Sequence, residues 1–241
     1  MSGHSHWHSI KGQKAITDAK KGKTFSKIAR FISIAVKEKG PDPSTNAKLR
    51  MAMEKAKEVN MPRENVERAI KKGSGEGEEG KLEEVSFEAF GPGNTALIIE
   101  GITDNKKRAL GEIKQILSKS NGKLVGEGAV KWMFDKKGII SISKEQGTMA
   151  KEDLELTAIE AGADDIYWRE NGLDVYAKPE NLESVKKNLE AKGIKIESSF
   201  LGMIAKEEIT VSEKEKADCE KLFEALDESD EVQEIYSNVK D

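Results

Sequence analysis

Cysteine is all but missing from this chain: Cys219 is the one thiol in 241 residues. An internal disulfide is therefore impossible and a Cys-rich zinc site is excluded, which leaves Cys219 as a small residue on a helix flank. Histidine is nearly as scarce. His4, His6 and His8 are all there is, so the usual Ser–His or Cys–His nucleophile–base pairs cannot assemble in the rest of the chain. Adjacent acids such as Glu83-Glu84, Asp164-Asp165 and Glu207-Glu208 do not replace them, because neighbours on a strand point to opposite faces. The Gly126-Glu127-Gly128 segment lacks the third glycine and the Lys-Ser/Thr of a phosphate-cradling loop. These absences predict a non-enzyme, with no catalytic residue and no cofactor.

Long apolar runs are missing too. Stretches such as Ala96 to Ile99 fall far short of a bilayer span, and the polar start lacks the apolar core of a secretory signal. A cytoplasmic protein with no membrane partner is expected. The alternating His4, His6 and His8 would share one side of an extended segment, but a chain end offers neither a fixed second shell nor a framed open ligand position, so no functional metal is expected there.

What the chain has in quantity is charge, and it is divided. Through Gly75 there are 17 Lys and Arg against 7 Asp and Glu; beyond it there are 23 against 37. The first part attracts polyanions, and the acidic remainder is repelled by phosphate. Lys11, Lys14, Lys20, Lys21, Lys23, Lys27 and Arg30 form a run broken by the single acid Asp18. Trp7 precedes the run as a stacking surface for a base. These eight residues are the candidate nucleic-acid-binding set. On charge alone, residues 1–75 are expected to bind and residues 76–241 are not. Charge does not choose between DNA and RNA.

The length fits two or three domains. From Thr24, Phe25, Ile28, Ala29, Ile32, Ala35 and Val36 recur at the helical period, with Thr24 as cap and Gly40-Pro41 as stop. A second helix is expected from Ser44 to Val59, and a third with Pro62 in its first turn and Gly73 as C-terminal cap. Gly73 to Gly80 reads as a linker, which predicts that the helical part moves relative to the rest. Strands then follow at 85–90 and 95–103, joined by a type II turn at Gly91-Pro92-Gly93-Asn94. Next come a helix capped by Asp104 and a strand at 129–135. Between 138 and 199 the order strand, helix, two strands turning at Glu170-Asn171-Gly172, helix, strand is the ferredoxin-like, split-βαβ pattern. A short strand near Ile209, a helix from Glu213 and a strand from Val232 supply what the earlier set lacks.

The expected fold is therefore α+β: an N-terminal helical domain followed by two α/β domains of ferredoxin-like character, one inserted in the other. The expected boundaries are 1–75 for the basic helical domain, 81–136 plus 206–241 for the discontinuous domain, and 137–205 for the inserted one.

Several motifs in order resemble one known family over essentially the whole chain. They are GHSHW followed by Ile10-Lys11, Lys20-Lys21-Gly22-Lys23, Asn60-Met61-Pro62 running into RENVERAIKKG, FEAFGPGN, Thr103-Asp104-Asn105 with Arg108, and GAVKWMFDKKG. They are similar to the YebC/PmpR family, which includes the mitochondrial translational activator of cytochrome c oxidase. The resemblance implies a helical first domain and two α/β domains. It also implies a regulator of gene expression, either a DNA-binding transcriptional regulatory protein or a ribosome-associated factor that relieves stalling at sequences such as polyproline. The partner is then DNA or ribosomal RNA, with the ribosome as a second candidate. His6 stands where relatives usually carry a cation, while Trp7 and Lys11 match the family pattern.

Overall fold

The computed structural model describes residues 18–75, 82–144, 149–169 and 172–240. Its first elements are α1 (Asp18–Lys39), α2 (Ala47–Glu58) and α3 (Arg63–Gly73). The helical period of the apolar residues buries Ile28, Ile32, Ala35 and Val36 of α1 against Leu49, Ala52 and Ala56 of α2 and Ala69 of α3. Thr24 lies inside α1, not at its start, because the residues before it are good helix formers with no breaker but Gly22.

The second helix begins at Ala47, later than expected, because Asn46 caps it. The Asn46 side chain accepts from the Leu49 amide at 3.0 Å and donates to the carbonyls of Ala35 and Gly40 at 2.7 and 2.8 Å, tying the end of α1 to the start of α2. Gly73 does not cap α3; it is the last helical residue. A Cβ there would stand 2.5 Å from the Ser33 carbonyl oxygen, so glycine is required by close helix approach, not by a left-handed turn.

The first sheet contains β1 (Glu83–Phe90), β2 (Ala96–Thr103), β3 (Lys123–Val125) and β8 (Val232–Ser237), in the order β3-β1-β2-β8 and antiparallel throughout. Between β1 and β2, Gly93 (φ 66°, ψ 20°) has the left-handed conformation that the third position of the expected type II turn requires, and Asn94 after it is left-handed too (φ 57°), with the Thr95 amide donating to the Pro92 carbonyl at 3.3 Å. One face of this sheet, with Ala89, Leu97, Ile99 and Ile235, packs on α4 (Lys106–Lys119) through Ile113 and Leu117 and on α7 (Glu213–Asp227) through Cys219, Leu222, Phe223 and Leu226. Asn105, not Asp104, caps α4, its side chain accepting from the amides of Lys107 and Arg108 at 3.1 Å. Ser212 and Glu215 cap α7 reciprocally.

The second sheet contains β4 (Phe134–Ser143), β5 (Asp165–Arg169), β6 (Gly172–Ala177) and β7 (Ile196–Ala205), in the order β5-β6-β4-β7. With α5 (Lys151–Ala161) and α6 (Leu182–Ala191) the chain order is βαββαβ, the split-βαβ arrangement. The strand expected at 129–135 does not form. Residues 131–133 make a single 3₁₀ turn, and Phe134 already belongs to β4, where it pairs with Ala205. Residues 135 and 138, read as belonging to separate strands, lie on one strand of ten residues, because β7 pairs along it from Phe134 to Ile142. Ile209 contributes only an isolated bridge. The turn expected at Glu170-Asn171 lies outside the described residues.

The fold is thus α+β, a helical region followed by two antiparallel four-stranded sheets with helices. Among the described residues two compact units form, one of Trp132–Ile209 and one joining residues 18–131 to Thr210–Val239. No described helix is long and apolar enough to cross a membrane.

Candidate nucleic-acid interface

The eight residues singled out by charge and aromaticity fall into three groups. Trp7, Lys11 and Lys14 lie outside the described residues. Lys20 and Lys21 lie in the first turn of α1, and Lys21 is exposed. Lys23, Lys27 and Arg30 point at the chain's own acidic part.

Lys27 Nζ donates to the Asp227 carboxylate at 2.9 Å and to the Asp227 carbonyl at 2.7 Å. One turn earlier, Lys23 donates to the Glu228 carbonyl at 3.0 Å and pairs with the Glu228 carboxylate. Two ammonium groups thus sit on the C-terminal end of α7, where the last carbonyls lack helical partners and the macrodipole is negative. The hydrogen bond to the Glu228 carboxylate holds the Lys23 ammonium above the usual lysine range. Arg30 Nη1 donates to the Ile102 carbonyl at 3.0 Å, at the end of β2.

These contacts belong to a wider seam between the helical region and the first sheet. Lys37 Nζ donates to the Leu82 carbonyl at 2.7 Å, Lys48 pairs with Glu84 at 2.6 Å, and Lys55 pairs with Glu234 at 2.8 Å. Burial lowers the affinity of the Lys55 amine for its proton, but Glu234 overrides that and raises its pKa overall. Ile34, Leu82 and Ile102 close a small buried cluster beneath these polar contacts, with Phe31 packed against it. By strand alternation Ile102 and Glu234 lie on the face opposite the one that carries α4 and α7. Against the expectation of a mobile helical part stand this cluster and its flanking ion pairs, which join the region to the sheet.

The carboxylates that receive these cations, Asp227, Glu228 and Glu234, were not marked by the sequence. They lie about two hundred residues from their partners, and nothing local distinguishes them from other acids on the surface. A third arrangement was equally hidden. Glu88, on β1, is buried and accepts from the amides of Gly128, Val130 and Lys131 at 2.6, 2.7 and 2.9 Å. Burial pushes its carboxyl upward, but the three amides outweigh that and hold it below the usual carboxylate range. Glu88 thereby holds the loop that replaces the expected strand. At the start of α4, Arg108 bridges Asp104 at 2.6 Å and Glu231. Among the described residues no group of three or more His, Cys, Asp or Glu is arranged to hold a metal.

Residues 5–76 match the family model described as the TACO1/YebC protein N-terminal domain, and residues 82–239 match the model described as the TACO1/YebC second and third domain. The chain belongs to the TACO1/YebC family. Among curated relatives, a probable transcriptional regulatory protein of Caldanaerobacter subterraneus subsp. tengcongensis is 44% identical over 240 residues, covering 100% of this chain and 98% of that one. Another so named, from Thermoanaerobacter pseudethanolicus, is 45% identical over 240 residues, covering 100% and 97%. A crystal structure of a conserved hypothetical protein from Aquifex aeolicus superposes with a TM-score of 0.88 at 40% identity, covering 98% of this chain and 97% of that one. This TACO1/YebC member thus shares its fold with a solved relative over nearly its full length.

Proposed function

We propose that this chain is a non-enzymatic regulator of gene expression that binds nucleic acid, DNA in the first instance, through the cationic run that leads into α1. The observation that carries the reading is the division of charge, 17 basic against 7 acidic residues through Gly75 and the reverse excess beyond. The names of the curated relatives, probable transcriptional regulatory proteins, support it. Within the run, Lys11, Lys14, Lys20 and Lys21 are the contacts proposed for phosphate, with Trp7 stacking on a base. Lys23, Lys27 and Arg30 act at one remove, fixing the direction in which α1 presents the residues before it. The cytoplasm is the proposed location.

The test is a salt titration of the full chain on a labelled DNA duplex, with a labelled RNA hairpin in parallel. The logarithm of the affinity is expected to fall with the logarithm of salt by about 0.9 per phosphate neutralised on duplex. The quadruple variant Lys11→Glu, Lys14→Glu, Lys20→Glu, Lys21→Glu is expected to lose binding while unfolding at the same denaturant concentration. Unchanged binding by that variant would remove the run from the interface. Tighter binding to the hairpin than to the duplex would move the target from DNA to RNA.

A further inference from the structure

The acidic part of the chain contains one stretch with the opposite sign. Between residues 106 and 123 there are six cations, Lys106, Lys107, Arg108, Lys114, Lys119 and Lys123, and one acid, Glu112. Two of the six are tied locally: Lys106 pairs with Glu83 at 3.1 Å, and Arg108 with Asp104 and Glu231. Lys107, Lys114, Lys119 and Lys123 are exposed.

The helix geometry sorts these residues by side. Ala109, Ile113 and Leu117 are the buried residues of α4 and fix its inner face. At 100° per residue, Lys107 and Lys114 fall within about 20° of each other on the outer side, about 10 Å apart along the axis. Gly111 and Ser118 lie beside them on the same stripe. A Cβ at Gly111 would meet nothing within 4 Å, so the surface between the two lysines is low and open. Glu112 projects about 140° away from Lys107 around the axis. A face that is cationic, free of acids and flattened between its charges is complementary to a line of phosphates. About 10 Å along a duplex strand covers three of them.

We propose that the outer stripe of α4 that carries Lys107 and Lys114 is a second nucleic-acid-binding surface that takes the sugar–phosphate backbone. It rests on the nucleic-acid reading above and extends it. It also revises the expectation that residues 76–241 contribute nothing to binding. The first sheet carries both surfaces in one unit, since Arg30 of α1 donates to Ile102 two residues before Asp104, the partner of Arg108 in α4. Contacts to phosphate carry no sequence information, so the contribution of this surface is expected to be independent of sequence.

The experiment compares three full-length proteins on the same labelled DNA duplex and RNA hairpin: wild type, Lys107→Glu/Lys114→Glu, and a charge-matched control, Lys178→Glu/Lys187→Glu, in the inserted unit. The α4 variant is expected to bind about tenfold more weakly than the control, with a duplex salt slope shallower by about 2. Because its changes are on the solvent side, its denaturant midpoint should match that of wild type. Equal weakening in variant and control overturns the inference and assigns the effect to net charge. Unchanged binding by the α4 variant also overturns it while leaving the N-terminal interface standing. Failure of wild type to bind either probe overturns the underlying functional reading, and this inference with it. Loss on the hairpin but not the duplex identifies RNA as the occupant; the reverse identifies DNA.

Discussion

Lys27 in α1 and Asp227 at the end of α7 form a two-point contact, the ammonium donating to both the carboxylate and the carbonyl of the same aspartate. Both side chains are largely buried, 12% and 20% exposed, so the contact is shielded from salt more than a surface pair would be. It joins residues two hundred positions apart and sets the angle at which α1 leaves the first sheet.

Lys27→Met is therefore expected to destabilise the protein by about 2 kcal/mol, since it removes a charged donor from a carboxylate and a helix-terminal carbonyl together. In a double-mutant cycle with Asp227→Asn, urea unfolding should give a coupling energy of about 1 kcal/mol or more. A cycle that closes to zero would return Lys27 to the solvent-facing cations.

The cluster of Ile34, Leu82 and Ile102 should make the helical region and the first sheet unfold together. Ile34→Ala is expected to cost about 2–4 kcal/mol. Hydrogen exchange should show protection falling in α1 and β2 alike. Protection lost in α1 alone would mean that the two open independently.

Two glycines on helices should respond with opposite signs to the same substitution. Gly73→Ala places a Cβ 2.5 Å from the Ser33 carbonyl and 2.7 Å from the Val36 side chain, and is expected to lower stability by about 1–3 kcal/mol as α3 is pushed from α1. Gly111→Ala fills open space in a helix interior and should raise stability by about 0.5–1 kcal/mol. Thermal or urea midpoints moving in the same direction would contradict the packing described.

Glu88 gives a pH dependence of definite sign. Its carboxyl is held below the ordinary range in the folded protein, so its contribution is fully present above the unfolded carboxylate pKa and is lost as pH falls through the lower folded value. Glu88→Gln should cost about 3 kcal/mol at neutral pH, where an ionised acceptor of three amides is removed. The gap between wild type and variant should narrow below about pH 4. Denaturation curves that keep a constant gap from pH 7 to pH 3 would show that the charge is not what holds the loop.

Much of the architecture was legible because it is written in local patterns. The apolar residues of α1 recur every three to four positions whatever they pack against, and the alternation of Ile140, Ile142, Leu173 and Val175 marks buried strand faces before any partner is known. Boundaries were less legible. The strand expected at 129–135 failed because its apolar residues Val130 and Phe134 serve different purposes, one in a loop gathered by Glu88 and one at the head of β4. The cap of α4 moved from Asp104 to Asn105 and the start of α2 from Ser44 to Ala47, because neighbouring residues of similar capping propensity are separated only by the direction in which the chain arrives.

The sequence by itself determined the division of charge, the succession of helices and strands, and the family motifs, since each is a property of composition or of short-range spacing. Only the tertiary structure decided which cations face outward. Lys21 and Lys27 are indistinguishable in a run of lysines, yet one is exposed and the other is half-buried against Asp227. In the same way the lysines of α4 lie in the acidic part of the chain, and only the burial of Ala109, Ile113 and Leu117 shows that Lys107 and Lys114 share the outer side. The reason is physical. Hydrophobic periodicity follows from the geometry of one element, whereas the state of a charge depends on what the fold brings within a few ångströms of it.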